Sequence, residues 1–98
     1  MKTEQFNKKG FENALELIKA LDNPKRLMIL CFLCAEELTV SELASRIELD
    51  LSPTSQHLAI LRDKGFVETK KEEQKVYYSL KGEEAKRIIS LLQEMYCV

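Results

Sequence analysis

No stretch of this 98-residue chain approaches the roughly 18 to 20 consecutive apolar residues that span a membrane. The first residues, Met1 to Glu4, carry no signal-peptide pattern. Internal repeats and low-complexity segments are also missing. These absences argue against a membrane partner and a repeat architecture, and we expect one cytoplasmic domain over residues 1–98.

An excess of basic charge is missing too. Lysine and arginine number 15 and aspartate and glutamate 16, which leaves a net charge of -1. The acidic balance is concentrated in residues 36–50, where Arg46 is the one basic residue. Charge by itself therefore does not predict nucleic-acid binding.

Cysteine is scarce and odd in number, with Cys31, Cys34 and Cys97. In a cytosolic chain such a set does not build a structural disulfide framework. The sequence also lacks an acid–base pair, a phosphate-binding loop and a cluster of metal ligands. We therefore expect a protein that is not an enzyme and that holds no cofactor and no metal.

Apolar residues at helical spacing predict a helix near each end of the chain. Residues 1–10 are polar and are expected to be flexible. The first helix starts near Phe11, and its single apolar stripe consists of Phe11, Ala14, Leu15, Ile18 and Leu21. The last helix runs from about Gly82 to Cys97, with an apolar side made of Ala85, Ile88, Ile89, Leu92, Met95 and Tyr96. Because so short a chain builds only a small core, part of this apolar surface is expected to be buried in a dimer.

Capping signals predict two further helices. Asn23 suits the N-cap of a second helix and Pro24 its first position. This helix continues to about Ala35, and its almost uniformly apolar surface places it at the centre of the core. Thr39 and Glu42 form a capping box that starts a short third helix.

The stretch from Leu51 to Leu80 predicts a fourth helix followed by a β-hairpin. Ser52 is expected to cap the helix, Pro53 to occupy its first position and Gly65 to end it in the left-handed conformation. Two segments rich in β-branched and aromatic residues then flank a polar turn, at residues 66–71 and 75–80. The order α-α-α-α-β-β-α, mainly helical with a β-hairpin wing, predicts a winged helix-turn-helix.

Helical spacing decides which face of the fourth helix is exposed. Leu58 and Leu61 must face the core, and Thr54 shares that face. The exposed polar residues of its N-terminal half are then Ser52, Ser55 and Gln56. Such hydroxyl and amide groups bind base edges and phosphates, and Gln56 suits adenine. The alternative is an ordinary solvated helix face.

The flank of this helix and the wing supply further DNA-binding candidates. His57 suits a phosphate contact or a hydrogen bond within the core, and a lone histidine is a poor candidate for a metal ligand. On the wing, Lys70, Lys71 and Lys75 suit phosphate or minor-groove contacts, and Gln74 at the tip suits the same role. The alternative for the wing is a solubilising hairpin edge.

These motifs together resemble the ArsR/SmtB repressors. The resemblance is carried by residues 20–30 (ALDNPKRLMIL), 42–44 (ELA), 52–58 (SPTSQHL), 61–65 (LRDKG) and 76–80 (VYYSL). It covers roughly residues 12–97. It implies a homodimer held by the first and last helices, and binding of double-stranded DNA at an inverted-repeat operator by the fourth helix and the wing.

Two metal sites known in that family are missing from this sequence. Its arsenic, cadmium and lead sensors carry a Cys-x-Cys pair near the third helix, where residues 38–42 are LTVSE. Its zinc and nickel sensors place Asp and His ligands on the last helix, and residues 83–97 contain no histidine. Metal sensing along those lines is therefore not expected.

Cys31 and Cys97 instead resemble the sensing pair of the HlyU/BigR/SqrR/YgaV subgroup of the family. The wing, residues 71–78 (KEEQKVYY), is also similar to that of HlyU. This resemblance implies that an oxidant or a sulfane-sulfur inducer acts on the Cys31/Cys97 pair. Cys34 has no counterpart in the pattern.

From the residues alone, the cysteines have a plainer interpretation. Cys31 and Cys34 share a helical face with Leu27 and Leu30, which is typical of small buried hydrophobes. Their Cys-x-x-Cys spacing lies in mid-helix, without the helix N-terminus that lowers a thiol pKa, which argues against an oxidoreductase. Cys97 stands at a helix C-terminus, which disfavours a thiolate.

The sequence thus predicts a repressor whose DNA binding responds to oxidants or reactive sulfur through a cysteine pair. One alternative is an HlyU-like antirepressor or activator that competes with another repressor. A second alternative is a protein-interaction module that binds no DNA.

Overall fold

The computed structural model describes residues 7–97, which form five helices and one two-stranded sheet. In chain order these are α1 (Lys8–Leu21), α2 (Pro24–Ala35), α3 (Val40–Ile47), α4 (Leu51–Asp63), β1 (Val67–Glu72), β2 (Lys75–Leu80) and α5 (Glu84–Tyr96). The predicted order α-α-α-α-β-β-α is confirmed. Within these residues, no helix is long and apolar enough to cross a membrane.

Helix α2 is the centre of the core. Its residues Ile29, Leu30 and Leu33 are buried. The helix packs against α1, α3, α4, α5 and β2. The other helices, strand β1 and the connection before α3 supply the remaining buried hydrophobic side chains, which are Ala20, Leu38, Leu43, Ala44, Ile47, Leu58, Leu61, Val67, Ala85 and Ile89. The predicted central position of the second helix is confirmed.

The two predicted helix caps of this region are present. The side chain of Asn23 accepts the Arg26 N–H at 3.1 Å, and Pro24 is the first residue of α2. In front of α3, Thr39 Oγ1 accepts the Glu42 N–H at 3.2 Å, and the Glu42 carboxylate accepts the Thr39 N–H at 2.9 Å. Caps of this kind typically contribute about 1 kcal/mol each, so the sequence defines both helix starts locally.

Helix α1 begins earlier than predicted. Asn7 is its N-cap, and the Asn7 side chain accepts the Gly10 N–H at 2.6 Å. The helix therefore starts at Lys8 and not near Phe11. The flexibility of residues 1–10 stays a prediction. Residues 1–6 lie outside the described part of the chain.

Helix α4 also begins before the predicted cap. Ser52 was expected to be the N-cap and Pro53 the first helical residue, but the helix starts at Leu51 after Asp50. Thr54 explains the earlier start, because its N–H and its Oγ1 both donate to the Asp50 carbonyl, at 3.2 and 2.8 Å. Pro53 is tolerated in the first turn because N–H groups there have no partner within the helix.

Strand β2 has the predicted bounds, whereas β1 and the start of α5 are shifted by one or two residues. Gly65 has the predicted left-handed conformation, with φ of 83°. The Phe66 N–H donates to the Leu61 carbonyl at 2.9 Å, so Phe66 belongs to the helix end and β1 starts at Val67. Gly82 has φ of 77° and stands before α5 instead of starting it.

The hairpin is anchored to the helical body by a contact that the sequence did not indicate. Leu38, between α2 and α3, forms an isolated antiparallel bridge with Tyr78 of β2. The Leu38 N–H donates to the Tyr78 carbonyl at 3.1 Å, and the Tyr78 N–H donates to the Leu38 carbonyl at 2.7 Å. These two hydrogen bonds therefore fix the wing to the segment that connects α2 to α3.

Leu58→Ala is expected to lower the free energy of unfolding by about 2–5 kcal/mol, because it opens a cavity in the core beneath α4. Ile60→Ala on the same helix is the matched control, and with Ile60 40% exposed we expect a change within about 0.5 kcal/mol. Urea unfolding at one fixed protein concentration measures both. Equal losses for the two variants would contradict the packing of α4.

Candidate nucleic-acid interface and cysteine cluster

The outward face of α4 carries the predicted polar residues. Ser52, Ser55 and Gln56 are exposed. Thr54, Leu58 and Leu61 on the opposite face are each 0% exposed. The predicted orientation of the helix is therefore confirmed, and the DNA-binding role of its polar residues stays a prediction.

His57 faces the protein more than the solvent. Its ring is partly buried, and its Nδ1 atom is buried without a hydrogen-bond partner in the described structure. Burial and the nearby positive charge of Arg26 hold the pKa of His57 below its usual value. A neutral imidazole is a weaker phosphate ligand than a cation, so these properties weaken the prediction for His57.

The wing lysines do not form one patch. Successive side chains of a strand point to opposite faces, so Lys70 and Lys71 lie on different sides of the hairpin. Lys71 shares its side with the buried Val67 and with Tyr78, which pairs opposite Thr69. Lys71, Gln74 and Lys75 are all exposed. Their exposure leaves these side chains accessible to DNA, and their DNA-binding role stays a prediction.

Lys70 already has anionic partners. Its Nζ lies 3.5 Å from a Glu37 oxygen and 3.4 Å from a Glu72 oxygen. The carboxylates of Glu37 and then Glu72 raise the pKa of Lys70. The pairs are exposed and therefore weak, yet they draw this lysine toward the segment after α2 and away from a phosphate.

Arg62 is a further DNA-binding candidate, which the sequence-based prediction does not include. It lines an open cleft of about 710 Å³ between the N-terminal end of α3, the C-terminal half of α4 and strand β2, together with Ser41, Lys75 and Tyr78. We call this space the wing cleft. Arg62 follows Ser55 by seven residues, which is two helical turns, and that spacing is the sequence signal that places both on one side of α4.

The structure brings the three thiols together. Cys31 and Cys34 are partly buried on α2, and Cys97 is exposed directly after α5, which packs against α2. All three cysteines are free. The Cys34 Sγ lies 3.6 Å from the hydroxyl oxygen of Ser90 on α5.

The other two thiols contribute to the electrostatic environment of Cys31. Burial first, and then negative charge on Cys97 and Cys34, raise the pKa of the Cys31 thiol. Cys97 directly follows α5, and α5 packs against α2, the helix that carries Cys31. Across residues 7–97, no group of three or more His, Cys, Asp or Glu side chains is arranged to hold a metal ion.

Helices α3 and α4 form a helix-turn-helix, and the β1–β2 hairpin that follows is a wing beside the exposed polar face of α4. The protein is therefore a winged helix-turn-helix protein. Residues 23–69 match the family described as "Bacterial regulatory protein, arsR family". Together with relatives that align along nearly the whole chain, this match shows that the chain belongs to the arsR family of bacterial regulatory proteins.

The relatives include proteins of opposite regulatory sign. The "Transcriptional activator HlyU" of Vibrio cholerae is 50% identical over 93 residues, which are 95% of this chain and 86% of the relative. A solved structure of HlyU from that organism has a TM-score of 0.89 at 49% identity, covering 94% of this chain and 100% of that chain. The transcriptional repressor BigR from Xylella fastidiosa has a TM-score of 0.87 at 32% identity, covering 100% and 99%.

A third similar solved structure is described as a homodimer. The winged helix-turn-helix domain of Mb0332 from Mycobacterium bovis, described as homodimeric, has a TM-score of 0.78 at 32% identity and covers 87% of this chain and 79% of that chain. The predicted resemblance to the ArsR family and to HlyU and BigR is confirmed. The chain is a transcriptional regulator of this family.

Cys31 is expected to alkylate slowly near neutral pH, with a rate that rises about tenfold per pH unit until the pH passes its raised pKa. Only the thiolate reacts, and burial with neighbouring sulfur charge disfavours the thiolate of Cys31. Site-resolved mass spectrometry after timed iodoacetamide treatment from about pH 7 to 10 measures the profile. Cys97→Ser removes one of the neighbouring charges, so the Cys31 midpoint should move to lower pH. A Cys31 profile identical to that of the urea-unfolded chain would contradict the effect of burial.

Proposed function

We propose that this protein is a homodimeric repressor that binds an inverted-repeat DNA operator through α4 and the wing, and that it leaves the operator when an oxidant or a sulfane-sulfur inducer links Cys31 to Cys97. The observation that carries the proposal is the packing of the last helix, which Cys97 directly follows, against the central helix, which carries Cys31. Family membership supports the DNA-binding part.

The exposed polar face of α4 supports contact with a major groove. A major groove admits an α-helix, and the amide of Gln56 can bond adenine through two hydrogen bonds. Ser52 and Ser55 carry hydroxyls that bond bases or phosphates. Lys71, Gln74 and Lys75 on the exposed wing suit the neighbouring backbone or minor groove.

Exposed apolar side chains support a dimer formed through α1 and α5. On α1, Leu15 is 41% and Ile18 is 59% exposed. On α5, Leu91 is 46%, Met95 is 56% and Tyr96 is 78% exposed. Large apolar side chains on two helices that pack against the same central helix suit burial against a second copy. A two-fold dimer would place two α4 helices about 34 Å apart, one turn of DNA.

The proposed switch is a balanced thiol reaction. Cys97 is the exposed thiol, and a peroxide oxidises it to a sulfenic acid with release of water. The Cys31 thiolate then attacks the Cys97 sulfur and a second water leaves, which closes a disulfide. With a persulfide, the donor transfers its outer sulfur to Cys97 and leaves as a thiolate, and Cys31 then displaces hydrosulfide.

Two contacts at the end of α2 would transmit a shift of that helix to the wing. The stronger is the backbone bridge between Leu38 and Tyr78, with hydrogen bonds of 3.1 and 2.7 Å. The weaker is the exposed ion pair between Glu37 and Lys70 at 3.5 Å. A Cys31–Cys97 bond requires Cα atoms roughly 4.4–6.8 Å apart, so closing it would fix the end of α5 to α2 and change the spacing of the two wings.

A second candidate is an activator or antirepressor that displaces another repressor from DNA. The observation that favours it is the 50% identity to a relative described as a transcriptional activator. Both candidates need the same DNA-binding surface and differ in the sign of regulation. A reporter fused to the regulated promoter separates them, because loss of a repressor raises expression and loss of an activator lowers it.

Gln56→Ala is expected to weaken operator binding by about 1–3 kcal/mol without changing affinity for a scrambled duplex, because the amide contacts a base. Lys71→Ala is expected to weaken binding to both duplexes and to lower the slope of log affinity against log salt by about 1 per contact. Fluorescence anisotropy measures both, with Lys86→Ala on the exposed side of α5 as the control. If neither Gln56→Ala nor Lys71→Ala alters binding to any promoter fragment, the α4–wing surface is not the DNA-binding surface.

Cys97→Ser is expected to stay on the operator after treatment with peroxide or persulfide, whereas the wild-type protein is released and shows a Cys31–Cys97 link by mass spectrometry. Cys34→Ser is the matched control, because it removes a thiol of the same cluster but leaves the proposed pair, and it should be released like the wild type. Equal release of wild type and Cys97→Ser would exclude the pair as the switch.

A further inference from the structure

The wing cleft continues along α4. A second open hollow of about 490 Å³ lies between α4 and β2 and is lined by Ser55, Ala59 and Asp63, and it shares Arg62 and Tyr78 with the wing cleft. The two spaces adjoin at Arg62 and Tyr78, and we call them together the groove. It runs from the DNA-facing half of α4, past Arg62, to the N-terminal end of α3.

This groove lies where a DNA strand has to pass. In the proposed complex, α4 enters a major groove and the wing contacts the minor groove beside it. A sugar–phosphate strand separates any two neighbouring grooves of a duplex. That strand must therefore cross between α4 and the wing, and the groove is the space that the fold leaves between them.

Arg62 is the cation best suited to hold that strand. The structure shows no hydrogen bond or ion pair of the Arg62 guanidinium with another residue in the range 7–97, whereas Arg26 and Arg46 are engaged with carbonyl or carboxylate oxygens. A guanidinium stays charged at any physiological pH and binds phosphate with two parallel hydrogen bonds.

The groove also contains two acidic residues, a second cation and two hydroxyls. Glu42 also lines the wing cleft, but its carboxylate accepts the Thr39 N–H at 2.9 Å as part of the α3 cap. Asp63 lines the hollow and adds a second negative charge. Lys75 at the opposite wall contributes a second cation, and Ser41 and Ser55 contribute hydroxyls.

We infer that Arg62 binds the phosphodiester strand that separates the major groove entered by α4 from the minor groove touched by the wing. This inference rests on the proposed function and adds a sequence-independent contact that positions the protein on DNA. A phosphate contact of this kind contributes equally to operator and non-operator binding, since every sequence presents the same backbone.

The test compares Arg62→Ala and Arg62→Gln with wild type on the operator and on a scrambled duplex, at salt from about 50 to 300 mM. We expect about tenfold weaker binding to both duplexes and a salt slope smaller by about 1 for each phosphate that the arginine neutralises in the wild type. Lys86→Ala, an exposed cation on the side of α5 opposite Met95, is the control and should bind like wild type. Circular dichroism and sedimentation verify that each variant is folded and has the wild-type oligomeric state.

Each other outcome overturns the inference in a recognisable way. Both Arg62 variants could keep the affinity and salt slope of the wild type while Lys71→Ala weakens binding. That result would support the DNA-binding function and contradict the Arg62 contact, because the strand would then bind elsewhere. Weakening confined to the operator would make Arg62 a base contact instead of a phosphate contact. Absence of binding by the wild-type protein to either duplex would remove the proposed function together with this inference.

Discussion

Burial of α2 is the constraint on which the rest of the structure depends. An almost uniformly apolar helix cannot lie at the surface of a small domain, and here four helices and strand β2 cover it. The same packing orients α4 through Leu58 and Leu61, so that its polar residues face outward. Cys31 and Cys34 also belong to α2, and any change in their bonding therefore acts on the element against which the whole domain is assembled.

The candidate DNA surface depends on the placement of its charges. With a net charge of -1, the protein has no long-range positive field to attract DNA. Some of its cations are held by internal partners, such as Lys70 by Glu37 and Glu72 and Arg46 by Glu36. Arg62 and Lys75 line the groove, and Lys71 is exposed on the wing. Under the proposed function, each of these cations would neutralise a phosphate and make binding depend on salt.

The environment of Cys31 makes its thiol slow to react. Burial and neighbouring sulfur charge raise the pKa of Cys31, so few molecules carry its thiolate at neutral pH. Under the proposed mechanism, the exposed Cys97 reacts first and Cys31 needs only to attack a sulfur already activated beside it. The nearness of the two thiols compensates for the low fraction of thiolate, because the second step is intramolecular.

The sequence by itself determined the number and order of the elements, the caps of α2 and α3, the left-handed Gly65 and the buried face of α4. Each of these follows from spacing or hydrogen bonding within a few residues, which local sequence specifies. It also carried the family resemblance. It misplaced the starts of α1 and α4, because Asn7 and the double hydrogen bond of Thr54 to Asp50 competed with equally plausible caps.

Only the tertiary structure decided how distant segments meet. The Leu38–Tyr78 bridge joins residues 40 positions apart, α5 packs onto the helix that carries Cys31, and Arg62 lines a cleft whose walls are three separate elements. None of these contacts has a signature in local spacing, because each depends on how the helices pack around α2 and not on the pattern within any one of them.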